Sequence, residues 1–152
     1  MNGSVFRFRL ERVRALRERK EQQAQQELAR AISLRTGAEA GLRAAEAELA
    51  RAHTEHRALV GEPQALAASE LMARQAFAER VEAHRGAQAQ ELEQRKATVA
   101  ERDATLTVAT TEHETLKRLR ERQHGEHERA RASREQSELD EIAAARFGRS
   151  GA

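Results

Sequence analysis

The sequence has no cysteine, no tryptophan and no tyrosine, one proline, and four phenylalanines in 152 residues. Without thiols there are no disulfides and no thiolate metal sites, and the composition is compatible with a reducing compartment. With so few aromatics the chain has little material for a thick core. No stretch approaches the ~18 consecutive apolar residues of a membrane span. The opening Met1-Asn2-Gly3-Ser4 lacks the apolar centre of a secretory leader, so a soluble, cytoplasmic chain is expected. A dominant charge sign is missing too, because 27 Lys and Arg face 25 Asp and Glu and are interleaved with them. The two basic clusters, Arg12 to Lys20 and Lys117 to Arg122, each contain glutamate. A nucleic-acid surface would show an unbroken basic stripe.

What the chain does contain is helix-forming material. Leu, Ile, Val and Phe together make up only roughly 17% of residues, whereas Ala, Glu, Lys, Leu and Arg supply roughly 60%. That is the composition of a long helix or coiled coil when periodicity supports it. A thin seam between two helices needs far less apolar material than a globular core.

The only proline sits in Val60-Gly61-Glu62-Pro63-Gln64, and it divides the chain. Proline inside a helix costs about 3 kcal/mol or more, the residue before it is pushed out of the α region, and Gly61 can end a helix in the left-handed conformation. The expected fold is all-α, a long antiparallel two-helix coiled coil folded as a single hairpin. Its parts are a helix over about 4–60, a turn over about 61–67, a helix over about 68–146 and a disordered tail at 147–152. Ser4 is an acceptable N-cap.

Val5-Phe6-Arg7-Phe8-Arg9-Leu10 alternates apolar and basic residues, but Leu10, Val13 and Leu16 continue at helical spacing and favour helix. From Leu28 a 3,4 repeat runs through Ala31, Arg35, Ala38, Leu42, Ala45, Leu49, Ala52, His56 and Leu59. After the turn Leu71, Ala78, Arg85, Leu92, Val99, Leu106 and His113 recur every seventh residue, with Val81, Ala109 and Leu116 on the other edge. Such a heptad implies a left-handed supercoil. Pairing Leu59 with Leu71 places Leu10 near Arg120. At 1.5 Å per residue the first helix is then roughly 85 Å long and the second on the order of 115 Å. Residues beyond about Gly125 form a helical overhang without a partner in the same chain, ending in Leu139-Asp140-Glu141-Ile142 with Phe147 after it. An apolar pair flanking two acids there points to a docking surface.

Motifs that carry chemistry are absent: no phosphate-binding glycine loop, no nucleophile elbow, no metalloprotease histidine pair. His53/His56 and His124/His127 are i,i+3 pairs without further ligands for a metal. His84 and His113 read as polar seam residues. The glutamate pairs Glu91/Glu93 and Glu112/Glu114 point apart along the helix, and Glu11, Glu18 and Glu21 read as helix-face ion pairs. No catalytic residue, metal or cofactor is expected. Phe77 and Val81, i,i+4 past the turn, either close the hairpin tip or anchor a partner.

The two ends together resemble the flagellar export protein FliJ family. The N-terminal match is Phe6-x-Phe8-x-Leu10-Glu11-x-Val13 followed by Arg17, Glu21, Ala24, Leu28 and Ala31. The C-terminal match is Leu116-Lys117-x-Leu119, the charged run to Glu135, and Glu138-Leu139-Asp140-Glu141-Ile142-Ala143. The resemblance implies a non-enzymatic component of the flagellar type III export apparatus, cytoplasmic and peripherally associated with the inner membrane at the flagellar base. It implies a stalk that inserts into the ring of the export ATPase FliI, promotes ring assembly and activity, and links it to the membrane export gate protein FlhA and to export chaperones. Carried over by position, Phe6, Phe8, Leu10, Leu139, Asp140, Glu141 and Ile142 belong to the ATPase-facing end. Phe77 and Val81 belong to the gate-facing surface. Where some relatives carry tyrosines late in the first helix, this chain has His53 and His56. The competing readings are a stalk of a virulence-type secretion system and a generic coiled-coil scaffold. Further off stand a nucleic-acid binder, for which strong salt dependence would be required, and an enzyme.

Overall fold

The computed structural model describes residues 5–60 and 67–149. The turn expected around Gly61 and Pro63, the Ser4 cap and positions 150–152 lie outside the described residues. Two helices make up the regular structure, α1 (Glu11–Val60) and α2 (Ala68–Arg149), with no strand among the described residues. They pack side by side and antiparallel, an all-α helical hairpin. Abundant Ala, Glu, Arg and Gln favour helix intrinsically. Spaced ion pairs such as Glu91–Arg95 (2.6 Å) and Arg131–Glu135 (2.8 Å) add to it. Threonines are accommodated by donating to the carbonyl four residues back, as Thr36 does to Ile32 and Thr98 to Gln94. The Ala67 carbonyl accepts from the Glu70 and Leu71 amides and opens α2.

The chain divides into two compact units, residues 23–107 and a second made of 1–22 with 108–152. In the 23–107 unit the seam is alanine. Ala24, Ala31, Ala38, Ala45 and Ala52 recur every seventh residue and are all buried, Ala45 most deeply at 2% exposure. Val81 and Leu92 are the buried apolar residues of α2 in this unit, while Leu28, Leu42 and Leu49 are only half-buried. Small side chains let the two backbones approach closely. Arg102 reaches Glu27 across the seam at 3.1 Å, and Arg85 reaches Glu46 at 3.9 Å. Arg35 and Arg85, the basic residues expected at seam positions, are half-buried with carboxylates beside them. Leu71, expected to open the α2 heptad, lies on the surface at 44% exposure.

The other unit inverts the polarity. Its seam runs through Arg14, Arg17 and Glu21 on α1 and Glu112, His113 and Leu116 on α2, with Phe8 and Ala109 as its buried apolar residues. Val13, Leu16 and Val108 point outward. Helix α1 begins at Glu11 rather than at about residue 4. In this non-helical lead-in the Phe6 ring packs on His124 and His127 of α2, and Phe8 is buried beside Glu11 and Arg120. At the far end α2 continues through Arg149, so Phe147 to Arg149, expected to be disordered, are helical.

Candidate functional site

The unit formed by the two chain ends concentrates the unusual chemistry. Its non-helical lead-in is held by two aromatic contacts. The Phe6 ring stands nearly perpendicular to the His124 imidazole, with centroids 5.1 Å apart, and lies 5.7 Å from that of His127. Phe8 is buried beside Glu11 and Arg120. The Glu11 amide donates to the Phe8 carbonyl (3.1 Å) and the Arg14 amide to that of Leu10 (2.8 Å), which leads the segment into the helix.

Behind this clip lies a row of charge pairs. Glu11 bridges Arg14 (2.7 Å) and Arg120 on the opposite helix (3.3 Å). The Arg14 hydrogen bond, helped by the charges of Arg14 and Arg120, holds the Glu11 carboxyl below the ordinary carboxylate range. Arg14 also approaches Glu18 (3.4 Å), and Arg17 pairs with Glu112 across the seam. One turn further, Glu21 uses both oxygens: His113 Nδ1 donates to Oε2 at 2.6 Å and the Thr110 hydroxyl to Oε1 at 2.9 Å. The His113 bond, then that of Thr110, lowers the Glu21 pKa, with the His113 and Lys117 charges acting in the same direction.

His113 Nε2 is buried without a hydrogen-bond partner. Glu21, Thr110 and His113 together form a polar clamp tying α1 to α2.

From Glu128 to Phe147 every residue of α2 is exposed. This stretch carries Leu139, Ile142 and Phe147 at 61%, 52% and 82% exposure. Asp140 accepts a hydrogen bond from Gln136 (2.9 Å), and Glu141 faces solvent. Of the residues expected at the ATPase-facing end, the fold gathers Phe6, Phe8 and Leu10 into the clip, Leu10 with 39% of its surface exposed. It does not bring Leu139, Asp140, Glu141 and Ile142 to them. Leu139 lies twelve residues past His127 along a continuous helix, about 18 Å at helical rise.

In the 23–107 unit, Phe77 and Val81 have different environments. Val81 is buried in the seam at 5% exposure, whereas Phe77 is 42% exposed, with the Arg80 guanidinium 5.9 Å from its ring centre. Phe77 borders a shallow groove with Ala52, His56 and Arg74. Met72, at 71% exposure, is another apolar surface residue early in α2.

Among the described residues there is no cluster of His, Asp or Glu fit to hold a metal ion, and no helix long and apolar enough to cross a membrane. His124 and His127 are engaged by Phe6. Sequence reasoning missed the Glu21–His113–Thr110 clamp by taking Glu21 for a helix-face ion pair. The signal was available, since pairing Leu10 with Arg120 brings Glu21 level with the turn of α2 that holds Thr110 and His113.

A family model described as "Flagellar FliJ protein" matches residues 6–152, nearly the whole chain. No curated protein and no solved structure matches.

Proposed function

The chain belongs to the flagellar FliJ protein family, a non-catalytic component of flagellar protein export, and from that premise we propose that it acts as a stalk for the export ATPase FliI. The observation carrying this reading is the exposed C-terminal stretch of α2. The helix continues well past the Arg120–Glu11 pair and presents Leu139 and Ile142 to solvent. Exposed large apolar side chains on an otherwise charged helix are the signature of a surface covered by a partner. The Phe6/Phe8 clip fixes where the paired region ends, so the overhang begins at a defined point.

The role is mechanical. A single chain seated in a ring of like subunits cannot contact all of them equally. It therefore biases assembly and the nucleotide states of individual subunits by differential binding. Contact with the gate protein FlhA would use Phe77 rather than Val81, because only Phe77 offers surface. Export chaperones are further partners on this reading, and the site of action is the cytoplasmic face of the inner membrane at the flagellar base.

The test is the ATPase activity and ring formation of the cognate FliI with and without the full chain. Stimulation that is lost in Leu139→Ala/Ile142→Ala, with helicity and melting unchanged, supports the stalk. Absence of both binding and stimulation by the unaltered chain rejects it.

A further inference from the structure

The outward faces at the two chain ends fit one another. On α1, helical geometry places Arg12, Val13, Leu16, Arg19 and Lys20 together on the side away from α2. All five are exposed, and no acid lies among them. The acids of these turns are drawn elsewhere, Glu11 and Glu18 to Arg14 and Glu21 to His113. On α2, Glu135, Glu138, Leu139 and Ile142 share one side of the overhang and are likewise exposed, with Arg131 and Arg146 bounding them on the same side. The first surface is basic around two aliphatic side chains, and the stretch from Glu135 to Ile142 sets two acids around two.

A chain cannot bring its own two surfaces together. Phe6 meets α2 at His124 and His127, and the overhang runs on from there as helix through Arg149. Leu139 is therefore carried about 18 Å beyond that contact, away from Leu16. We infer that the occupant of the basic face on α1 is the overhang of a second copy of this chain. A two-fold axis that places one overhang on the partner's α1 places the partner's overhang on the first α1, so the contact closes on itself as an isologous dimer. The aliphatic residues meet, and Arg12, Arg19 and Lys20 face Glu135 and Glu138. Glu135 must leave its own exposed Arg131, and such surface pairs are worth little. With two large apolar residues on each face the dimer is weak, concentration-dependent and salt-sensitive. It covers Leu139 and Ile142, the same residues assigned to the ATPase, so dimer and ATPase complex exclude each other. The dimer itself needs no ATPase, so this inference and the stalk reading can fail separately.

The experiment is sedimentation equilibrium of the full chain over a hundredfold concentration range at low and high salt. Reversible dimerisation that weakens at least tenfold in high salt is expected. Arg12→Glu/Arg19→Glu and Glu135→Arg/Glu138→Arg should each be monomeric alone, with circular dichroism showing that both retain their helices. Mixed, they should recover a one-to-one dimer, because the altered faces then match one another and the unaltered faces remain matched. A chain monomeric throughout, a dimer indifferent to both charge reversals, or a mixture without recovery overturns the inference. Binding to anionic lipid vesicles by a chain that stays monomeric overturns it as well, and assigns the basic face to a membrane surface.

Discussion

Glu21 and His113, from opposite helices and ninety-two positions apart, are joined by a 2.6 Å hydrogen bond, and Thr110 fills the second carboxylate oxygen. The contact places ionisable groups where a coiled coil normally puts leucine or isoleucine. It makes the end of the hairpin sensitive to acid.

Glu21 has a folded-state pKa depressed from its ordinary 4.5, chiefly by the His113 hydrogen bond. A carboxyl depressed in the folded state stabilises fully above its unfolded value and loses that contribution as pH falls through its folded value. The clamp's contribution should therefore be intact at neutral pH, decline below 4.5 and vanish in stronger acid. Glu21→Gln should cost about 1–3 kcal/mol at pH 7, since His113 and Thr110 lose a charged acceptor. Paired thermal melts of the two proteins from neutral to acid pH would show that gap closing. A gap that stays constant would mean the carboxylate charge is not what the clamp uses.

Ala45 is the most buried residue of the alanine column, at 2% exposure. If the column sets the helix spacing, a larger side chain should harm packing even though it adds apolar surface. Ala45→Leu is expected to destabilise by about 1–3 kcal/mol through overpacking. Ala40→Leu, on the exposed face of the same helix, should stay within about 0.5 kcal/mol of the parent. Denaturant melts of both would decide, and stabilisation by Ala45→Leu would show a looser seam than the one described.

The hairpin was legible because helix propensity, the heptad and the single proline all point the same way. Its register was legible too: Leu10 was expected near Arg120, and Glu11 bonds Arg120 at 3.3 Å. The polarity of the terminal unit was not. Leu10, Val13 and Leu16 look like the continuation of an apolar stripe, yet they face outward while Arg14, Arg17 and Glu21 face in. Periodicity alone cannot show that charged residues on two helices satisfy each other, because that pairing is known only once the register is applied. The non-helical start was hidden for a similar reason, since alternation over so few residues is a weak signal beside a long helical pattern. The Leu139 to Ile142 surface was legible as an overhang, but its distance from Phe6 emerged only from the continuous helix.

Gly41 lies under Gln88, whose side-chain oxygen would sit 2.6 Å from a Cβ added there, whereas added Cβ atoms at Gly37 and Gly86 meet nothing within 4 Å. Gly37→Ala and Gly86→Ala should each stabilise by about 0.5–1 kcal/mol through helix propensity. Gly41→Ala should gain less, because the Gln88 amide must swing aside, and Gln88→Ala should restore the difference. Melting temperatures of the four variants and the Gly41→Ala/Gln88→Ala double variant would test this. Equal gains at all three glycines would mean that the Gln88 contact has no cost.

Phe8 and Phe6 hold the lead-in segment by different means, and removing each should separate them. Phe8 is buried at 8% exposure, so Phe8→Ala loses apolar burial and leaves a void, about 3–5 kcal/mol at a closed core site. A terminal segment can peel away instead of unfolding the helices, so the loss should appear as local opening. The Glu11 and Arg14 amides, which donate to Phe8 and Leu10, should lose most of their hydrogen-exchange protection. Amides around Ala45, in the other unit, should keep theirs. Phe6→Ala removes a half-exposed ring set edge-on to His124 and tilted against His127, a contact worth about 0.5–1.5 kcal/mol. It should loosen the same amides by a smaller factor. Hydrogen exchange at neutral pH compares the two directly. Equal loss in both variants would place the anchor at the histidine contacts, and no loss in either would mean that the backbone turn at Phe8 to Glu11 holds without the rings.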